Sequence, residues 1–407
     1  MQLLNPREVH YFAGKVYGLD VELQSLAVVE SPTAKRRMEA SVADRYKSDI
    51  KLEASISFAD FKTFTSRSGL FSINRLSGFG FIAEGVGPRA GEWILATRGT
   101  DFEYNKYDLA TDANVGIDIG PKGHIVHRGF SKTFKGYESQ LLSFIRAHGL
   151  VRPRVIHCVG HSLGGALANL NAMLLQQRGF NVALYTIGAP RVGYLDFMAD
   201  LIGTLPVNQI KRVAHAADPV PMVPVYPFVH ASRARSELMM PGAAGSISIS
   251  NHLLDGGYAP MAHMKSWSEL LSPEQFELSA RRMVKDFNSL GGASHYSAAL
   301  MLNITQAILD AAEILGVVTL SLIQTGVSVA ITLFDILAEL LAKAWHLGGE
   351  MMTTLQNIAN AMRLFLGKPA LPDSAKMEQA TFRGLLAQFT TEVGGMANMA
   401  MLRAARA

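Results

Sequence analysis

The sequence predicts an α/β fold, a mostly parallel sheet flanked by helices, followed by a hydrophobic helical region. Three observations carry that expectation. Between about Gly69 and Leu271, short runs of β-formers alternate with helical segments, the pattern of strands joined by crossover helices. Inside that region, "RVIHCVGHSLGGALANLNAM" passes from a buried-strand pattern through a glycine-flanked serine directly into a helix. Beyond about Ser289 the charge thins out, and from Ser297 to Leu366 almost every residue favours an apolar helix.

Taken in order, residues 1–66 read as helical and mixed in charge, with "TAKRRMEASVADRYKSDIKLEASISFADFKTF" as the clearest case. This segment is expected to pack on the domain that follows. Strands are predicted at "FGFIAEGV", "EWILATRG", "RVIHCVG", "VALYTIGAP" and "IKRVAHAADPV", within a central domain of residues 67–290. The helix "ALANLNAMLLQQR" should stop at Gly179, a good C-terminal glycine. Residues 291–407 form the hydrophobic helical region. There, Ile314 to Phe334 carries no charge, and as a helix it would be about 30 Å long, one bilayer core. Ser, Thr and Gln punctuate it, and Gly316 and Gly326 weaken it. Two readings stay open: a membrane-inserting module, or helices packed on the central domain or on a partner.

Composition narrows the function classes. Of 407 residues, 49% are apolar and only 18% charged, below the roughly 25% charged residues of an ordinary soluble domain. A membrane-facing or partner-facing element fits that balance. The net charge of +4 comes from scattered basic residues, which argues against a nucleic-acid surface. Cys158 is the single cysteine, so neither a disulfide framework nor a cysteine metal site can form. No cofactor and no metal are expected. The start, "MQLLNPREVHYFAGK", lacks a basic stretch followed by an apolar core. That predicts a protein made in the cytoplasm without a signal peptide, exported, if at all, by a non-classical route and membrane-associated at its target.

The chemistry centres on Ser162. Strand and helix on either side would hold it on a strained turn, hydroxyl above the sheet at the positive end of the helix. Gly160 and Gly164 fit because strand and helix cross too closely for side chains. A serine nucleophile needs a base, an orienting acid and donors for an oxyanion. Asp218 follows a predicted strand, and Pro219 and Pro221 leave it on a rigid loop tip. Three candidate bases lie downstream, His263 in "MAHMKSWSELL", His295 in "ASHYSAAL", and His252, while His215 and His230 are too close to Asp218 or differently placed. His263 is preferred because it leads into an amphipathic stretch; His295 has the same layout, and His252 ranks third. The oxyanion donors would be the backbone N–H of Leu163 and Thr100, the latter in "WILATRGTDF".

Together these segments resemble the class 3 lipases, the fungal-type lipase family of α/β-hydrolases. The matching stretches occur in that family's order: "ILATRGTDF", "DLATDANVG", "VHRGF", "GHSLGGALA", "YTIGAPRVG", "RVAHAADPVPMVP" and "FVHAS". The resemblance implies an α/β-hydrolase fold and a Ser–His–Asp acyl-enzyme mechanism on lipid esters, of lipase or phospholipase A type. It maps the triad to Ser162, Asp218 and a histidine; His263 with Trp267 looks like the family's histidine and following aromatic. The usual acidic residue before that histidine is here Ala262. Thr100 takes the family's oxyanion position, and a lid is implied within Asp101 to Gly123. His127 and His161 are expected to be packed rather than catalytic, and Arg191 to brace loops by charge pairing. A lipase without a signal peptide and with an apolar tail also resembles antibacterial lipase effectors, which have neutralising immunity or chaperone partners. Other readings are a pore-forming or membrane-binding toxin with a secondary hydrolase, or an esterase for soluble esters.

Overall fold

The computed structural model describes residues 3–26, 58–68, 75–99, 116–148, 153–224, 228–231, 237–241, 246–272, 350–371 and 379–406, together with Gln275 and Ile304. A seven-stranded sheet forms its centre, in the order β1–β2–β3–β6–β7–β8–β9. These strands are β1 (Phe58–Ser68), β2 (Arg75–Gly85), β3 (Glu92–Thr97), β6 (Val155–His161), β7 (Val182–Ile187), β8 (Ile210–Ala214) and β9 (Glu237–Met239). From β3 to β9 every neighbour pairs in parallel, whereas β1, β2 and β3 pair antiparallel. A separate hairpin joins β4 (Ile117–Ile119) to β5 (Ile125–His127). All five strands expected from sequence are present.

Parallel strands buried on both faces need apolar side chains on both, and the continuous runs of β3, β6 and β7 supply them. On one face Trp93, Leu95, Ile156 and Cys158 pack with helices α2 (Arg128–Ala147), α3 (Leu163–Gln177) and α4 (Leu195–Thr204). On the other, Ile94, Val159 and Tyr185 meet Val9, Phe12 and Val16 of helix α1 (Pro6–Leu26). Polar bonds fix α1 there. Arg89 bridges Glu8 of α1 and Glu92 of β3 at 3.1 and 3.0 Å, and His157 reaches the same Glu92 at 3.3 Å. The Cys158 thiol is fully buried, and burial pushes its pKa up, so it remains a packed thiol.

One expectation fails at the sheet edge. The stretch Phe58–Ser68, read as the end of a helical segment, is strand β1, paired with β2 from Phe61↔Ala83 to Ser68↔Arg75 with a register shift between Phe64 and Thr65. Aromatic and β-branched residues at 61, 63, 64 and 65 favour an extended chain once a partner strand is available. Strands β6 and β8 run parallel, so Ser162, directly after β6, and Asp218, shortly after β8, lie at the same carboxyl-end edge of the sheet.

Two further helices follow, α5 (Glu350–Phe365) and α6 (Gln379–Arg406). They meet through Phe365 and Phe389, whose ring centres lie 4.9 Å apart. Helix α6 then runs against the turns Val220–Met222 and Ile249–His252, and its Met401 packs on the core of the central domain. Val393, Ala397, Ala400 and Ala404 form its buried stripe, small enough to allow close approach. The uncharged segment Ile314–Phe334 lies outside the described residues. Among the described residues, no helix is long and apolar enough to cross a membrane.

Candidate active site

Ser162 occupies the junction between β6 and α3 with φ 58° and ψ −135°, in the left-handed half of backbone space. A serine holds that conformation only when its surroundings enforce it. Here the Ser162 N–H donates to Ile187 O at 2.9 Å, and the Gly165 N–H donates to Ser162 O at 2.9 Å. The crossing is as tight as expected: a Cβ on Gly160 would stand 2.1 Å from Gly164 O, and one on Gly164 would stand 2.1 Å from Thr97 O.

Asp218 follows β8. Its Oδ1 accepts the N–H of Val220 at 2.8 Å, which fixes one lone pair and turns Oδ2 toward the serine side. Two buried donors converge on Oδ2: His252 Nδ1 at 2.9 Å and the Tyr258 hydroxyl at 2.6 Å. The opposite ring nitrogen, His252 Nε2, lies 2.8 Å from Ser162 Oγ. With Asp218 Oδ2 as the acceptor, Nδ1 of His252 carries the proton and Nε2 accepts from the serine hydroxyl. Serine, histidine and aspartate thus form one continuous chain, exposed by 2%, 0% and 0%.

The preferred histidine is therefore corrected. His263, itself exposed, ends the turn Ala259–His263 and takes no part in this chain. The reason is its anchoring: Met264 O accepts the N–H of Arg7, and Trp267 donates its indole N–H to Leu4 O at 2.9 Å while stacking on Tyr185. That segment serves to dock α1. His295 lies outside the described residues. His252, ranked third from sequence, is the histidine that reaches both Ser162 and Asp218. An aromatic does follow it, but at six residues' distance, and Tyr258 acts through its hydroxyl on Asp218. Sequence reasoning passed over Tyr258 altogether.

The oxyanion side is partly described. Leu163 is the first residue of α3, where N–H groups have no acceptor within the helix. Gly99, at the end of β3, lies against it: a Cβ there would stand 3.0 Å from Leu163 Cβ. Thr100 lies outside the described residues, as does the first part of the expected lid, 101–115; residues Ile117–Ile119 of that lid range are strand β4.

Neighbouring buried groups hold the acid's loop. Arg191 donates from Nη1 to Met222 O at 2.6 Å and to Pro224 O at 2.8 Å, while its own N–H donates to Val223 O. The bracing role expected of Arg191 thus runs through carbonyl oxygens. His230 adds a donor from Nε2 to Pro221 O at 2.8 Å, and burial drives its pKa well down, keeping it neutral. His127 accepts the Gly129 N–H and packs on Phe130; burial lowers its pKa to about 3, which fits a packed ring. Among the described residues, no group of three or more His, Cys, Asp or Glu side chains is arranged to hold a metal.

Comparison with known proteins matches residues 94–228 to the class 3 lipase family model. A secreted mono- and diacylglycerol lipase of Fusarium solani is 38% identical over 110 residues, 26% of this chain and 32% of that protein. A second secreted mono- and diacylglycerol lipase, from Gibberella zeae, is 35% identical over 120 residues, 27% of this chain and 29% of that protein. A phospholipase A1-II of rice is 36% identical over 89 residues, 21% of this chain and 22% of its own length. The chain thus spans less than a third of the length of each. Both fungal relatives are described as secreted, which overturns the expectation of a cytoplasmic product without a leader. The likeness of this chain to the class 3 lipases is thus carried by residues 94–228.

Proposed function

We propose that this protein hydrolyses carboxylic ester bonds of lipids through an acyl-enzyme on Ser162. The observation that carries this reading is the buried hydrogen-bond chain Ser162–His252–Asp218, built on a strained strand-to-helix turn. The lipid substrate is supported by the similar proteins, which are acylglycerol lipases and a phospholipase A1.

The geometry suits each step. Ser162 Oγ bonds to the ester carbonyl carbon as its proton passes to His252 Nε2, already 2.8 Å away. The carbonyl electrons move onto oxygen, where the Leu163 N–H, at the positive end of α3, donates to the developing charge. Asp218 stabilises the imidazolium and keeps the ring's orientation. His252 then gives the proton to the departing alcohol oxygen. Water repeats the sequence on the acyl-serine, returning the hydroxyl to Ser162 and releasing the fatty acid.

Product analysis on mixed phospholipid and acylglycerol vesicles, with Ser162→Ala as control, tests the reading. Free fatty acid from the wild type and none from Ser162→Ala, at equal melting temperature, is the expected result. Turnover by Ser162→Ala at the wild-type rate overturns it.

A further inference from the structure

His161, immediately before Ser162, is buried and touches neither Ser162 Oγ nor Asp218 in the hydrogen-bond chain described above, yet its Nε2 and one ring face both meet the base. Its Nε2 lies 2.7 Å from the backbone oxygen of His252. A carbonyl can only accept, so Nε2 carries the proton. The other nitrogen, Nδ1, is then an acceptor, and the hydroxyl of Tyr17 lies 2.8 Å from it and donates. The His161 ring also stacks on the His252 ring, centres 4.7 Å apart at 27°. One imidazole thus grips the base by its main chain and by its face.

Tyr17 belongs to α1, outside the span that matches the lipase family. The Arg98 guanidinium stands over its ring at 5.8 Å and is itself anchored by donation to Gly78 O. The α1 helix is held on the sheet by Glu8 through Arg89. A continuous path therefore runs from the docking of α1, through Tyr17 and His161, to the placement of His252.

We propose that Tyr17 and His161 are positioning residues for the base: α1 sets the tautomer of His161, and His161 sets the placement of His252. The proposal rests on the acyl-enzyme reading of Ser162. The charged and titratable groups facing His161 are Tyr17 of α1, His252 and the edge of Tyr258 beside it and, at longer range, His10 of α1, with Arg98 beyond Tyr17. Burial, with His252 adding to it, drives the pKa of His161 well down, so the ring is neutral while Tyr17 caps Nδ1. Removing the Tyr17 hydroxyl leaves Nδ1 a bare buried acceptor. The ring can then turn over or take a proton, and either change breaks the bond to His252 O or places a charge against the imidazolium that must form.

The test measures, on the full chain, the rate at which a fluorophosphonate labels Ser162 across pH 5 to 9, together with kcat and KM on a short-chain p-nitrophenyl ester. Tyr17→Phe is expected to lower labelling and kcat about tenfold, the loss of one buried positioning bond, with KM unchanged. Its labelling midpoint should also move to a different pH. His161→Gln can still donate to His252 O and accept from Tyr17, and should stay within about threefold of wild type; His161→Leu, with neither bond, should lose more than about tenfold. Melting temperatures identify any variant that has lost its fold, in which case the comparison of Tyr17→Phe with wild type decides. Wild-type labelling rate, kcat and pH profile in Tyr17→Phe, or equal losses in His161→Gln and His161→Leu, overturn the proposal. Failure of wild-type protein to label, or labelling of Ser162→Ala, would instead refute the acyl-enzyme reading on which it rests.

Discussion

Tyr258 donates its hydroxyl to Asp218 Oδ2 at 2.6 Å, on the same oxygen that receives His252 Nδ1. The phenol oxygen in turn accepts the His215 N–H at 3.1 Å, so it links the acid to the end of β8. Burial, and next the charge of Asp218, raise the Tyr258 pKa well above that of a free phenol. It therefore remains a donor throughout the neutral range. Tyr258→Phe should lower kcat on a p-nitrophenyl ester about tenfold, the effect of losing one charge-assisted bond of ~1.5 kcal/mol. Unchanged kcat at pH 7 would show that Asp218 needs no second donor.

The two histidines separate cleanly by substitution. His252→Ala should cost at least about a thousandfold in kcat, leaving what substrate binding and the oxyanion donors supply. His263→Ala removes an exposed side chain and should leave kcat within about twofold and stability within ~0.5 kcal/mol. The reverse order of effects in a steady-state assay would return the base to His263.

A pH-dependent latch ties the β4–β5 hairpin to α4. His124 Nδ1 lies 3.0 Å from Asp196 and Nε2 lies 2.9 Å from Asp200, which also holds Lys122. Partial burial opposes its charge, but bonds to Asp200 and Asp196 outweigh it and raise the His124 pKa. The sign follows: this contribution is full below the ordinary histidine value of about 6.5 and is lost as pH rises through the higher folded value. On the acid side, Asp200 is held low by His124 and Lys122 despite its burial, and its contribution is lost as pH falls through that lowered value. The difference in urea midpoint between wild type and His124→Gln should therefore be larger at pH 6 than at pH 8. An equal difference at both would exclude the latch.

Two glycine-to-alanine changes should act in opposite directions. In Gly164→Ala the new Cβ would stand 2.1 Å from the fixed Thr97 oxygen, and about 3 kcal/mol or more of stability should be lost. Gly384, exposed inside α6, has nothing within 4 Å of its would-be Cβ, and alanine there should add ~0.5–1 kcal/mol. Chemical denaturation of both variants checks the pair.

What was legible in the sequence followed from local chemistry. The elbow could be read because strand, glycine crossing and helix are neighbours in the chain, and Asp218 because proline fixes the loop directly after β8. The base could not be read in this way. Three candidate histidines, His252, His263 and His295, follow Asp218 before the apolar region, and only the path of the chain after β9 decides which returns to Ser162. The cue of a histidine followed by an aromatic picked out His263 and Trp267, yet Trp267 spends its N–H on Leu4. Strand β1 was hidden for a related reason: its extended form depends on β2, and the charged stretch before it carries a helical pattern. Tyr17 gave no signal, since its partner lies 144 positions away.

The position of α6 bears on when the site can assemble. The turns that follow Asp218 and end in His252 both lean on this helix, which lies far along the chain from either. Such contacts cost the most loop-closure entropy and form late, both in refolding and during synthesis from the N-terminus. The serine elbow, by contrast, is complete within a few consecutive elements of the sheet. The nucleophile is thus shaped early, while its acid and base gain their outer wall only after α6 has been made and has docked.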